Sequence, residues 1–170
     1  MMIQDTLTQY GGNFARPTKF NVKINPPKST AGPIIDVLCK SVSLPEITQE
    51  PIELTFKGHK ITVPGRTNQS QTITMTFYLD ERYNLRKIFE EWIGLTDEHY
   101  YAGNGQRDVS DKFGNMILET VDYSEQSVTG AYVFDNIYPT SVGEVEFSAV
   151  DRDSIQEITI TFSYYKMEEK

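Results

Sequence analysis

Chemistry needs titratable or nucleophilic side chains at workable spacing, and few residues of this 170-residue chain qualify. Asp97-Glu98-His99, with Asp108 and Asp111 downstream, is the one group able to offer a cation several oxygens. Its spacing lacks the Asp-x-Asp-x-Asp-Gly core and distal glutamate of a calcium loop. His59 and His99, the two histidines, have neither the flanks of a zinc helix motif nor those of a nucleophile elbow. Gly103-Asn104-Gly105 is not followed by the lysine or helix start that a phosphate loop requires. Cys39, the single cysteine, sits among Val37, Leu38 and Val42, the setting of a small buried hydrophobe, and excludes an intrachain disulfide. Glu90-Glu91 and Glu168-Glu169 read as solvated charges. The expectation is a protein with no catalytic residue, no metal and no cofactor.

Composition narrows the remaining roles. At 38% hydrophobic and 24% charged, the chain is a globular sequence. It has no apolar run near the roughly 20 residues of a membrane-spanning helix. A chain of this length buries roughly 70% of its unfolded surface as one domain, so residues 1–170 are expected to share one core without disulfides. Met1-Met2-Ile3-Gln4-Asp5 carries no basic stretch and no apolar core, which predicts no secretory signal and a protein that stays in the cytoplasm where it is made. The formal charge of −8 repels a phosphate backbone. The local basic clusters, Lys57/His59/Lys60/Arg66 and Arg82/Arg86/Lys87, lack the interleaved aromatics of a single-strand binding platform.

The elements that position these residues are mostly strands. Residues 1–18 hold Tyr10-Gly11-Gly12-Asn13 and Pro17 and show no periodicity, so they read as an N-terminal arm that orders against a neighbour. Phe20 to Ile24 alternates as a first strand, the Pro-rich stretch Asn25 to Pro33 breaks it, and Ile35 to Leu44 is a second. Ile52–Phe56 and Lys60–Val63, joined through Lys57-Gly58-His59, read as a hairpin inside residues 46–67. Pro45, Pro51 and Pro64 would interrupt a central sheet, so this hairpin is expected to project and complete its pairing outside its own subunit.

Gln71 to Leu79 is the clearest strand, with Ile73, Met75, Phe77 and Leu79 on one face and Thr72, Thr74, Thr76 and Tyr78 on the other. Glu157 to Tyr165 repeats the pattern, with Ile158, Ile160, Phe162 and Tyr164 opposite Glu157, Thr159, Thr161, Ser163 and Tyr165. Two strands buried on one side and hydroxyl-bearing on the other predict a sheet with a wet, nearly uncharged face, suited to lining an aqueous channel. One helix is expected over about 81–93, with Asp80 as N-cap and Gly94 as stop. Leu85, Ile88, Phe89 and Trp92 form its core-facing stripe. A glycine- and aspartate-rich loop follows over 96–115, longer than most connections. Met116–Tyr123, Val128–Ile137 and Glu144–Ala149 supply further strands. The fold class is mainly β: an antiparallel β-sandwich or barrel with one flanking helix and an extended hairpin.

Several segments together resemble the tail tube proteins of contractile-tailed bacteriophages. They are Phe14-Ala15-Arg16-Pro17 leading into Phe20-x-Val22-x-Ile24, Cys39-Lys40 with Leu44-Pro45, and Lys60-Ile61-x-Val63. Later come Lys87-x-Phe89-x-x-Trp92, Tyr138-Pro139-Thr140-x-Val142-Gly143-Glu144 and the run from Ile155-Gln156 to Tyr165. The Pro-rich insert Asn25 to Pro33 and the loop Thr96 to Asn115 depart from that pattern.

The resemblance implies hexameric rings in which strands of six subunits close one barrel, stacked into a tube that passes double-stranded DNA inside a contractile sheath. It implies the chain itself, sheath, baseplate and tail-terminator proteins as partners, no membrane, and a place in the virion tail after assembly in the host cytoplasm. Six copies of a chain at −8 carry −48, which favours DNA that slides over DNA that sticks. Thr72, Thr74, Thr76, Glu157, Thr159, Thr161 and Ser163 are then candidate lumen-facing residues. Phe14, Arg16, Ile52, Leu54, Phe56, His59, Ile61 and Val63 are candidates for contacts between subunits and rings. Alternatives are a baseplate or terminator protein, a type VI secretion or bacteriocin tube protein of the same fold, or a monomeric carbohydrate-binding β-sandwich using Tyr100, Tyr101 and Tyr123.

Overall fold

The computed structural model describes residues 15–27, 34–35, 38–96, 112–122, 124, 126–148 and 154–170. In chain order the elements are β1 (Phe20–Asn25), β2 (Ile34–Ile35), β3 (Cys39–Ser43), β4 (Ile47–Phe56), β5 (His59–Gln69) and β6 (Thr72–Tyr78). Then come α1 (Asn84–Thr96), β7 (Gly114–Val121), β8 (Val128–Val142), β9 (Glu157–Ser163) and β10 (Lys166–Glu169). All pairings are antiparallel, and eight strands run in the order β2-β1-β7-β8-β9-β6-β3, with β10 also on β8.

The 15-residue β8 belongs to two sheets. Its first part pairs with β7 and β10, and its end, from Tyr138 to Val142, pairs with β9. The change of partner falls between Ile137, still paired with Gly114 of β7, and Tyr138; just before it, Asn136 adopts φ 53°, the left-handed region that asparagine tolerates better than most residues. The result is sandwich-like and open: β3 and β2 end the strand path, and no barrel closes among the described residues.

The core lies between the two sheets. Val22, Ile24, Met116, Leu118 and Phe134 enter it from the β1/β7/β8 side, and Ile73, Met75, Phe77, Ile158, Ile160 and Phe162 from the β6/β9 side. All are essentially water-free, and burying each such side chain contributes roughly 1.5–3 kcal/mol. α1 fills the remaining gap: Phe89 lies 5.7 Å from Phe77 and 5.5 Å from Phe162 between ring centroids, and Trp92 lies 6.1 Å from Phe162. Trp92 donates its indole N–H to the Lys112 carbonyl at 2.9 Å, satisfying the polar atom of a fully buried ring.

Several boundaries differ from the sequence expectation. The helix spans Asn84–Thr96 and not 81–93, because Tyr83 takes φ 56° and closes a turn back to the Asp80 carbonyl at 3.0 Å. Asp80 still serves the helix start, accepting from the Leu85 amide at 3.3 Å. Gly94 does not stop the helix; Gly58 is the glycine with positive φ among the described residues. The expected strand Ile35–Leu44 is two: β2 pairs with β1 and β3 with β6, at opposite ends of the strand path. Residues 144–148 form no strand. There the Gln156 side chain takes the Glu146 carbonyl at 2.7 Å, and Arg86 takes that of Gly143 at 3.2 Å. Cys39 is half-buried against the core, less enclosed than its neighbours suggest. Phe14, residues 1–13 of the arm, and residues 97–111 of the long loop, with His99 and the acidic group, lie outside the described residues, as does Tyr123.

Candidate functional site

Two surfaces stand apart from ordinary solvated exterior. The first is the outer face of β3, β6, β9 and the end of β8. Cross-strand register sets Thr72 against Ser163, Thr74 against Thr161, Thr76 against Thr159 and Tyr78 against Glu157. Residues paired across a ladder share a face, so all seven expected lumen residues lie on one surface. β3 extends it with Ser41 opposite Thr76 and Ser43 opposite Thr74, and β8 adds Ser141 opposite Thr161. These serines were missed by the sequence reading, although the alternation Ser41-Val42-Ser43 carries the signal. The hydroxyls partly bond to each other and to the backbone: Thr76 and Thr159 meet at 3.3 Å, and Ser163 donates to the Gln71 carbonyl at 3.2 Å.

Charge on this face is confined to one end. Lys40, in the bulge between Cys39 and Ser41, bonds the Glu157 carboxylate at 2.6 Å and lies 5.8 Å from the Tyr78 ring centre. The hydrogen bond that the Lys40 ammonium donates to Glu157 holds it above its ordinary pKa. The outer face of the other sheet is different. It carries the Lys23–Glu119 pair at 3.1 Å, Asp135 opposite Lys166, and the Lys166–Glu168 pair. Both sheets have the same period-two amphipathicity, and only one has a hydroxyl exterior.

The second surface is the β4–β5 hairpin, a two-stranded sheet of its own. Lys57 (φ 48°) and Gly58 (φ 81°) make a two-residue turn with both residues left-handed, the geometry that matches strand twist. Register sets Ile52 on Val63, Leu54 on Ile61 and Phe56 on His59, so the six expected hairpin residues share one face. That face is uncovered: Phe56 is 64% exposed, and Ile52, Leu54 and Ile61 about half, with Val63 half-buried. Pro51 and Pro64 sit opposite each other, where neither can donate to the ladder. Gly65 is required beside them, because a Cβ there would come 2.7 Å from Cγ1 of Ile52. The hairpin is tied to the body at its base, where the Ser70 amide donates to the Glu46 carbonyl at 3.2 Å and the Tyr164 hydroxyl donates to the Ser70 carbonyl.

Arg16 is exposed in the turn before β1. Leu85, Phe89 and Trp92 are buried and Ile88 packs against the core, so the helix stripe serves packing. No group of three metal-binding side chains occurs among the described residues, and no helix among them is long and apolar enough to cross a membrane.

Comparison with known proteins gives a consistent result. A family model described as phage tail tube protein matches residues 15–169. The tail tube protein gp19 of Enterobacteria phage T4 is 28% identical over 174 residues, covering 98% of this chain and all of that protein. Among solved structures, a chain of the PVC extracellular contractile injection system sheath-tube complex in the extended state aligns at TM-score 0.62 and 17% identity, over 100% of this chain and 98% of that one. A chain from the sheath/tube terminator of the same kind of system aligns at 0.64 and 16%, over 93% and 98%. The two structures share the fold.

Proposed function

Because the chain belongs to the phage tail tube protein family, a family of structural proteins and not of enzymes, we propose that it forms the tube of a contractile tail, stacking as hexameric rings around a DNA channel. The observation that carries this reading is the hydroxyl face of β3, β6, β9 and β8, which is polar enough to stay wet and holds its charge in one Lys40–Glu157 pair. Affinity for a DNA backbone comes from cations that displace condensed counterions. A surface of threonine and serine offers none, so DNA moves past Thr72, Thr74, Thr76, Thr159, Thr161 and Ser163 without being retained.

The open edges supply the means of closure. Among the described residues β3 ends the strand path and takes a strand partner on one side, and a sheet edge of this kind can be completed by pairing with another chain. Six copies joined edge to edge turn the hydroxyl faces inward as a continuous lining. The β4–β5 hairpin and the N-terminal arm then serve as contacts between subunits and successive rings, the hairpin through Ile52, Leu54, Phe56, His59, Ile61 and Val63. Sheath, baseplate and terminator proteins are the partners of such a tube, which places the protein in the virion tail after assembly in the host cytoplasm.

Negative-stain electron microscopy of the purified protein at high concentration, with and without a tail-assembly template, tests the proposal. Hollow rings or tubes are the expected outcome. Particles that stay monomeric with the template present would overturn it and favour a monomeric binding module.

A further inference from the structure

Two groups of exposed apolar side chains stand out. One is the hairpin face already described. The other lies where α1 begins: Tyr83, Arg86, Glu144, Val145, Glu146 and Phe147 line a groove of about 390 Å³. Phe147 is 79% exposed, and Ile155, next to Gln156, is 70% exposed.

The groove is a held structure. Tyr83 is fixed in the left-handed region, unfavourable for a bulky side chain. Its ring lies 6.0 Å from that of Phe147, and its hydroxyl donates to Oε1 of Gln156, whose Nε2 in turn holds the Glu146 carbonyl. The Arg86 guanidinium is engaged by Glu90 at 2.6 Å and by the Gly143 carbonyl. Glu144 and Glu146 are exposed, and the rim is therefore acidic.

The hairpin tip has the opposite character. Phe56 projects there between Lys57, His59 and Lys60. Lys60 leans on Glu53 at 3.3 Å, while the Lys57 ammonium rests 5.5 Å from the centre of the Phe56 ring. A ten-residue strand such as β4 reaches roughly 30 Å, enough to carry this tip away from its own body.

We infer that the groove beside Tyr83 and Phe147 receives the hairpin tip of a second copy of this chain, with Phe56 against Phe147 and Lys57 against the Glu144/Glu146 rim. This rests on the assembly proposed above and names the surface that the hairpin meets. Two unlike patches on one chain make a heterologous contact, which repeats head to tail and does not close as a twofold dimer. Apolar contact supplies the hold and opposite charge sets the register.

The test uses the full chain with Cys39→Ser, so that introduced thiols stand alone. Copies carrying Lys57→Cys are mixed with copies carrying Glu146→Cys under mild oxidation, and the expected product is a disulfide-linked pair that neither variant forms by itself. In parallel, Lys57→Glu and Glu146→Lys are expected each to slow tube assembly roughly tenfold, and the double reversal to restore it to within about twofold. Both positions are exposed, so unchanged thermal unfolding separates assembly loss from folding loss. Tubes without the cross-link and without rescue would overturn the groove assignment and leave the tube reading standing. A specific cross-link with no tubes, even with template, would keep the groove and overturn the tube. Neither cross-link nor tubes would overturn both.

Discussion

The indole of Trp92 lies directly over Gly114, so that a Cβ on Gly114 would come 2.7 Å from Cη2 of the ring and would also press on the Asn25 carbonyl. Helix α1, the start of β7 and the end of β1 therefore meet at one point that has room only for hydrogen. Gly114→Ala is expected to cost about 1–3 kcal/mol or more, as overpacking of a dense core does, read as a lower urea midpoint at unchanged m-value. An unchanged midpoint would show that the helix can shift away.

Trp92→Phe tests the other half of that contact. It removes ring volume and the 2.9 Å bond to the part-buried Lys112 carbonyl. The expected loss is about 2–4 kcal/mol, measured by chemical denaturation.

Asp122 organises the turn between β7 and β8. Ser127 and Ser124 each donate to its carboxylate at 2.8 Å, and the Gln126 amide donates at 3.2 Å. These bonds, Ser127 first, hold its pKa down at about 2. A depressed carboxylate stabilises the fold above its unfolded pKa of roughly 4, and the contribution disappears as pH falls through about 2. NMR titration of the Gln126 amide should show a midpoint near the lower value, and Asp122→Asn should abolish the transition.

The faces of the strands were legible where burial follows period two. Thr72–Tyr78 and Glu157–Ser163 announce both their core and their hydroxyl faces by alternation alone. β10 was not legible: Lys166-Met167-Glu168-Glu169 has one apolar residue, and it becomes a strand because β8 offers a partner edge. The failure of residues 144–148 to form a strand is equally non-local, since Gln156 holds Glu146 within the segment and Arg86 holds Gly143 just before it from 57 residues away. The groove of Tyr83 and Phe147 was invisible for the same reason. The hairpin read correctly in position, because Lys57-Gly58 suits a two-residue left-handed turn, but its strands extend to Ile47 and Gln69.

Positive charge on the hydroxyl face should convert passage into retention. Thr74→Lys and Thr161→Lys, facing each other across β6 and β9, are expected to leave assembly intact and make DNA release slow and salt-sensitive. Fluorescent DNA ejection assays at low and high salt would measure it. Release indifferent to both substitutions would count against this face as the lining.

Deleting residues 46–67 should leave a folded body that does not stack. The hairpin contributes little to the core, so the melting temperature should move by only a few degrees while tube formation is lost in sedimentation. Tubes of normal length would sink its role in assembly.

β8, pairing with β7 and β10 up to Ile137 and with β9 from Tyr138, is a beam shared by two sheets. Tension along the chain at this strand loads the ladders of β7, β10 and β9 in shear, many bonds at once, where a hinge between separate strands would let them unzip singly. The two faces of the molecule are thereby joined through one unbroken stretch of covalent backbone.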